Sequence, residues 1–181
     1  MVNIAVTTIG LFAVSTIAGP VADKDTGTEV TSPFSLEAWA SDIIAHPDDT
    51  HPSPDEAFEL AANQTSTESD HLEKRAVRCN TVAGTSTSVT DAVWCIDFLA
   101  RRASQRCPVG VGGRSSFCRH GLATIQGTSG KPVWIGGTSS PCGNVARAAG
   151  RTMDKCTRSG TVQGENTAYG NGYLHMYIRR P

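Results

Sequence analysis

Six cysteines, Cys79, Cys95, Cys107, Cys118, Cys142 and Cys156, all lie after the dibasic pair Lys74-Arg75, and none lies before it. An even set packed into residues 76–181 predicts a small domain held by disulfides, and sequence leaves the pairing open. Charge divides at the same place. Residues 1–75 carry 13 acidic side chains against 3 basic ones, a net of −10, while residues 76–181 carry 4 against 13, a net of +9. The formal total of −1 therefore conceals two segments of opposite sign. Such asymmetry at a Lys-Arg pair reads as a processing site for a proprotein convertase.

The amino end fits an exported precursor. Ile4 to Ala18 is an uncharged apolar run, shorter than the roughly 20 residues a bilayer span needs. With small residues at Thr16-Ile17-Ala18, residues 1–18 read as a secretory signal. Residues 19–75 are rich in Asp, Glu, Ser, Thr and Pro, and read as a disordered acidic propeptide in which Asp55 to Ala62 forms at most one short helix. That segment also holds Asn63, in the glycosylation sequon Asn63-Gln64-Thr65. No second apolar stretch follows, so no stable membrane anchor is expected and the product is extracellular.

Within residues 76–181 the apolar pattern predicts the order β-α-β-β-α-β-β. Ala76–Val82 is the first strand, and a helix capped by Thr90 runs to about Gln105 with Ala92, Cys95, Ile96, Leu99 and Ala103 on one stripe. Phe117–Gln126 and Lys131–Gly137 are the next strands, the latter centred on Pro132-Val133-Trp134-Ile135, whereas Gly110–Ser116 is loop. A second helix opens at Ser140-Pro141, repeats Cys142, Val145, Ala149, Met153 and Cys156 along one face, and ends at Gly160. Thr161–Thr167 and Tyr173–Arg179 then form a hairpin about Gly170-Asn171-Gly172. This is an α+β fold, a small antiparallel sheet of about five strands with two helices on one face.

Two sets of side chains are candidates for binding. On the last strand Tyr173, His175, Tyr177 and Arg179 alternate with the apolar Leu174, Met176 and Ile178, presenting rings and a cation on one face. On the second helix Arg147, Arg151, Lys155 and Arg158 form a basic stripe suited to an anionic surface or polysaccharide, against the ordinary alternative of a solvated helix face. A host protein is a further candidate partner. No metal or other cofactor is expected: there is no C-x-x-C, and Cys118-Arg119-His120 is isolated. Catalysis finds little support. The four acids Asp91, Asp97, Asp154 and Glu165 are few, with three on predicted helices, and no G-x-S-x-G occurs. A nuclease using His120, His175, Glu165 and arginines is the enzymatic alternative.

The signal, the acidic prosegment, and Val93-Trp94-Cys95-Ile96, Cys118-Arg119-His120-Gly121-Leu122-Ala123 and Cys142-Gly143-Asn144-Val145-Ala146 through Asp154-Lys155-Cys156 together resemble the killer-toxin-like and necrosis-inducing group of small secreted fungal effectors. That resemblance, over residues 79–180, implies a compact α/β sandwich and a toxic or host-directed activity without a catalytic set. The expected function is a secreted, non-enzymatic effector or toxin-like protein that binds a host or competitor surface, with a small secreted hydrolase as the alternative.

Overall fold

The computed structural model describes residues 33–63 and 77–181. The apolar run 4–18, the sequon residues after Asn63, and Lys74-Arg75 lie outside them. The expected α+β fold is present. Strands β1 (Arg78–Cys79), β4 (Arg114–His120), β5 (Ala123–Ser129), β8 (Gly164–Thr167) and β9 (Leu174–Arg179) form one antiparallel sheet in the order β1-β8-β9-β5-β4. Helices α3 (Val89–Ala100) and α4 (Cys142–Cys156) cover one face of it. Two short ladders complete the domain: β2 (Thr87–Ser88) with β7 (Thr161–Val162), and β3 (Arg106–Val109) with β6 (Thr138–Pro141).

Register explains which side chains enter the core. Cα partners Gly127↔Met176 and Ile125↔Ile178 place the inward residues of β5 and β9 opposite one another, and Leu174, Met176 and Ile178 are fully buried. Gly127 packs closely there: a Cβ would lie 2.5 Å from the Phe117 ring, which would have to shift. The disulfides tie the sheet and the β3–β6 ladder to the helices: Cys79–Cys156 joins β1 to α4, Cys95–Cys118 joins α3 to β4, and Cys107–Cys142 joins β3 to the start of α4. No cysteine is free.

The acidic segment departs most from expectation. Residues 19–75 were expected to be disordered apart from a short helix over Asp55–Ala62; that helix is present as α2 (Pro54–Ala62), and with the unexpected α1 (Leu36–Ala45) it forms a third layer over α3 and α4. Leu36, Trp39, Ala40 and Ile43 recur at helical spacing and are buried with Ala57 in the common core. Ser35 caps α1, accepting from the Ala38 N–H, and Ser53 caps α2 in a reciprocal capping box with Glu56, followed by Pro54 in the first turn. The Pro- and His-rich connection is tied as well. The His51 ring bonds both Asp42 and the His46 carbonyl, and the Trp39 indole donates to the Pro52 carbonyl at 3.1 Å. Hydrogen bonding from His46, then His51, holds the Asp42 carboxyl below its ordinary pKa.

Helix α4 is shaped to receive α1. A Cβ at Gly150 would stand 2.6 Å from the Leu36 carbonyl oxygen and 2.7 Å from the Glu37 backbone, so only glycine permits this approach. Four residues on, the Asp154 carboxylate accepts from Ser35 Oγ at 3.0 Å and from the Leu36 and Glu37 N–H groups at 2.8 and 3.1 Å. It satisfies the open N-terminus of a different helix. Burial raises its pKa although the residue keeps an exposed edge, and the three donors act against that rise.

Candidate binding surface

The face of the sheet turned away from the helices carries most of the strand candidates. Across its middle run Ser116, Gln126, Tyr177, Glu165 and Arg78 in register, and on either side lie Arg114–Thr128–His175–Thr167 and Arg119–Thr124–Arg179. The alternation expected of the last strand is therefore observed, with His175, Tyr177 and Arg179 on the outer face and Tyr173 exposed just before β9. Arg179 lies 5.7 Å from the Tyr177 ring centre, and its guanidinium donates to the Gln126 amide oxygen in the orientation of that amide that satisfies both groups. Burial lowers the Arg179 pKa and repulsion from Arg114 lowers it further, though an arginine stays charged at neutral pH. Among the described residues the only carboxylate in these rows is Glu165, and Arg78 is paired with it. The face thus presents Arg114, Arg119 and Arg179 around hydroxyl, amide and ring groups.

The basic stripe of α4 divides. Arg147 stacks at 5.2 Å on Tyr169 and bonds Asn144, while Arg151 donates to the Tyr169 hydroxyl at 3.4 Å. That hydroxyl in turn donates to Glu37 of α1, and burial together with the Glu37 bond raises its pKa. This half of the stripe is half-buried and reaches the acidic segment through Tyr169. Lys155 and Arg158 are exposed, Arg158 beyond the helix end in a bridge with Thr161.

The second histidine of the nuclease alternative, His120, sits elsewhere. It pairs with Ala123 at the β4–β5 turn, whereas His175 pairs with Thr128, five residues along β5 and roughly 17 Å away at strand spacing. His120 stacks on Trp94 at 4.2 Å and lies 3.8 Å from Asp91, beside a shallow cleft of about 420 Å³ that α2 closes with Pro54 and Asp55. Two of its three carboxylates are engaged. Asp91 accepts from the Leu122 N–H at 2.9 Å, beneath Gly121 at φ +47°, and Asp97 holds Arg101 through both oxygens. His120, His175 and Glu165 do not converge, and no group of three or more His, Cys, Asp or Glu among the described residues is placed to hold a metal ion.

One expected strand is absent. Val133–Ile135 forms a single 3-10 turn between Pro132 and Gly136, whose φ of +93° ends it, and β6 begins only at Thr138. Its side chains point outward: Val133 is 60%, Trp134 83% and Ile135 59% exposed. Val111 and Tyr173, each 54% exposed, flank the same end of the sheet; Gly112 abuts Val133, and Gly130 donates to the Tyr173 carbonyl. The continuous apolar run that suggested a strand cannot distinguish a buried segment from an exposed tip.

Fold and surface together define a small, three-disulfide α+β domain with an open cationic sheet face. The chain belongs to a family described as a domain of unknown function (DUF8794), whose model matches residues 74–180. No curated protein and no solved structure matches it. The matched stretch opens at Lys74 and excludes α1 and α2.

Proposed function

We propose that this chain is the precursor of a secreted, non-enzymatic effector or toxin-like protein that binds an anionic component of a host or competitor surface. The observation carrying this reading is the outer sheet face, where three arginines surround Gln126 and Tyr177 while the one carboxylate is neutralised by Arg78. Mutually repelling cations on a rigid sheet favour an anion that bridges them. Three disulfides suit an oxidising export route. The charge switch and the start of the family match at Lys74 favour a cut after Arg75.

Intact-mass analysis of the secreted protein should find a product beginning at Ala76; an abundant species retaining α1 and α2 in one chain with the domain would refute the cut. Changing Arg114, Arg119 and Arg179 together to Glu should make the protein elute from an immobilised sulfated polysaccharide at much lower salt, with folding unchanged. Equal retention removes the sheet face from the reading. Incubation with RNA tests the hydrolase alternative, which cleavage lost on His120→Ala would establish instead.

A further inference from the structure

The Val133-Trp134-Ile135 turn is mostly exposed, and an indole 83% open to water is costly in a protein that folds alone. Its surroundings are as selective as its composition. Between Asp97 and Asp154 the sequence contains no acidic residue but eight basic ones, among them Lys131 immediately before the turn and Arg114 at the same end of the sheet. We propose that this tip inserts into the interface of an anionic lipid bilayer, with Trp134 at headgroup depth, Val133 and Ile135 in the acyl boundary, and Lys131 and Arg114 on lipid phosphates. The inference rests on the proposed anionic partner and names its class.

The chemistry of each part fits that one partner. Trp prefers the membrane interface because its ring is apolar and its N–H polar, and short apolar loops gain affinity from juxtamembrane cations. A turn fixed between Pro132 and the positive-φ Gly136 presents all three side chains without ordering on arrival. Lys131 is also within 5.6 Å of the exposed Tyr173 ring, so a second interfacial aromatic lies beside the first cation. A soluble polysaccharide would use the arginines but has no use for adjacent exposed valine, tryptophan and isoleucine.

The test is sedimentation of the full chain with vesicles of phosphatidylcholine alone and of phosphatidylcholine mixed with phosphatidylserine, reading tryptophan emission in parallel. Binding is expected to the mixed vesicles only, with a blue shift, and weakening as salt rises. Trp134→Ser should reduce affinity about tenfold and abolish the shift. Lys131→Glu with Arg114→Glu should abolish binding while leaving the fold intact, since both side chains are at the surface. Unchanged vesicle binding by Trp134→Ser overturns insertion and leaves only electrostatic adsorption. Failure to bind mixed vesicles, with retention on sulfated polysaccharide preserved, overturns the lipid assignment but spares the cationic-face reading; loss of both removes both.

Discussion

Gly150→Val in the full chain should detach α1 from α4 and lower stability by about 3–5 kcal/mol, the cost of emptying a large aromatic site. The added side chain would collide with the backbone of Leu36 and Glu37, which has no flexible end to yield. Moving α1 away exposes Leu36, Trp39 and Ile43 and strips Asp154 of its three donors. Denaturant unfolding should show the loss, and brief proteolysis should now cut within 36–45. Gly172→Ala is the control, since nothing lies within 4 Å of its Cβ position, and such surface changes stay within about 0.5 kcal/mol. If both variants unfold alike, the close approach of the two helices contributes nothing.

Replacing Cys79 and Cys156 together by Ala should cost more than replacing Cys95 and Cys118. The first bond closes a sequence separation of 77 and the second one of 23; in the chain-entropy account these amount to about 4.5 and about 3.4 kcal/mol. The local consequences differ too. β1 is two residues long and lies at the sheet edge, so losing its disulfide should free Arg78 from Glu165 and expose the Glu165 carboxylate on the outer face. Melting of the two variants measures the order. The reverse order would mean that strain or residual structure, not loop length, governs these bonds.

The sequence disclosed the sheet and α4 more readily than the layer above them. Leu174, Met176 and Ile178 alternate over one strand, and Cys142, Val145, Ala149 and Met153 repeat at helical spacing, so each pattern identifies its own buried face. Leu36, Trp39, Ala40 and Ile43 follow the same helical rule, but acidic and proline-rich neighbours dilute them. Their burial depends on Gly150, more than a hundred positions away, and no local signal announces that partner. The strand β3 was hidden by Pro108, tolerated because β3 pairs only with β6. Of the binding candidates, the outward row of β9 was legible from alternation alone. Arg114 and Arg119 join it only through the register of β4 on β5, and the turn of Trp134 is bounded by Pro132 and the positive φ of Gly136, which the apolar run between them does not reveal.

Every disulfide lies within residues 79–156, so the α1–α2 layer is joined to the domain covalently only through the chain between 63 and 77. While that connection is intact, α1 meets its groove at the millimolar effective concentration typical of a short tether. A cut after Arg75 would turn the same contact into an encounter between two molecules, whose occupancy falls with dilution. Gly150 and Asp154 would hold the pair together in the crowded secretory lumen and let it separate in the medium outside. Dilution itself would then time the uncovering of α4, with no second enzyme and no change of pH.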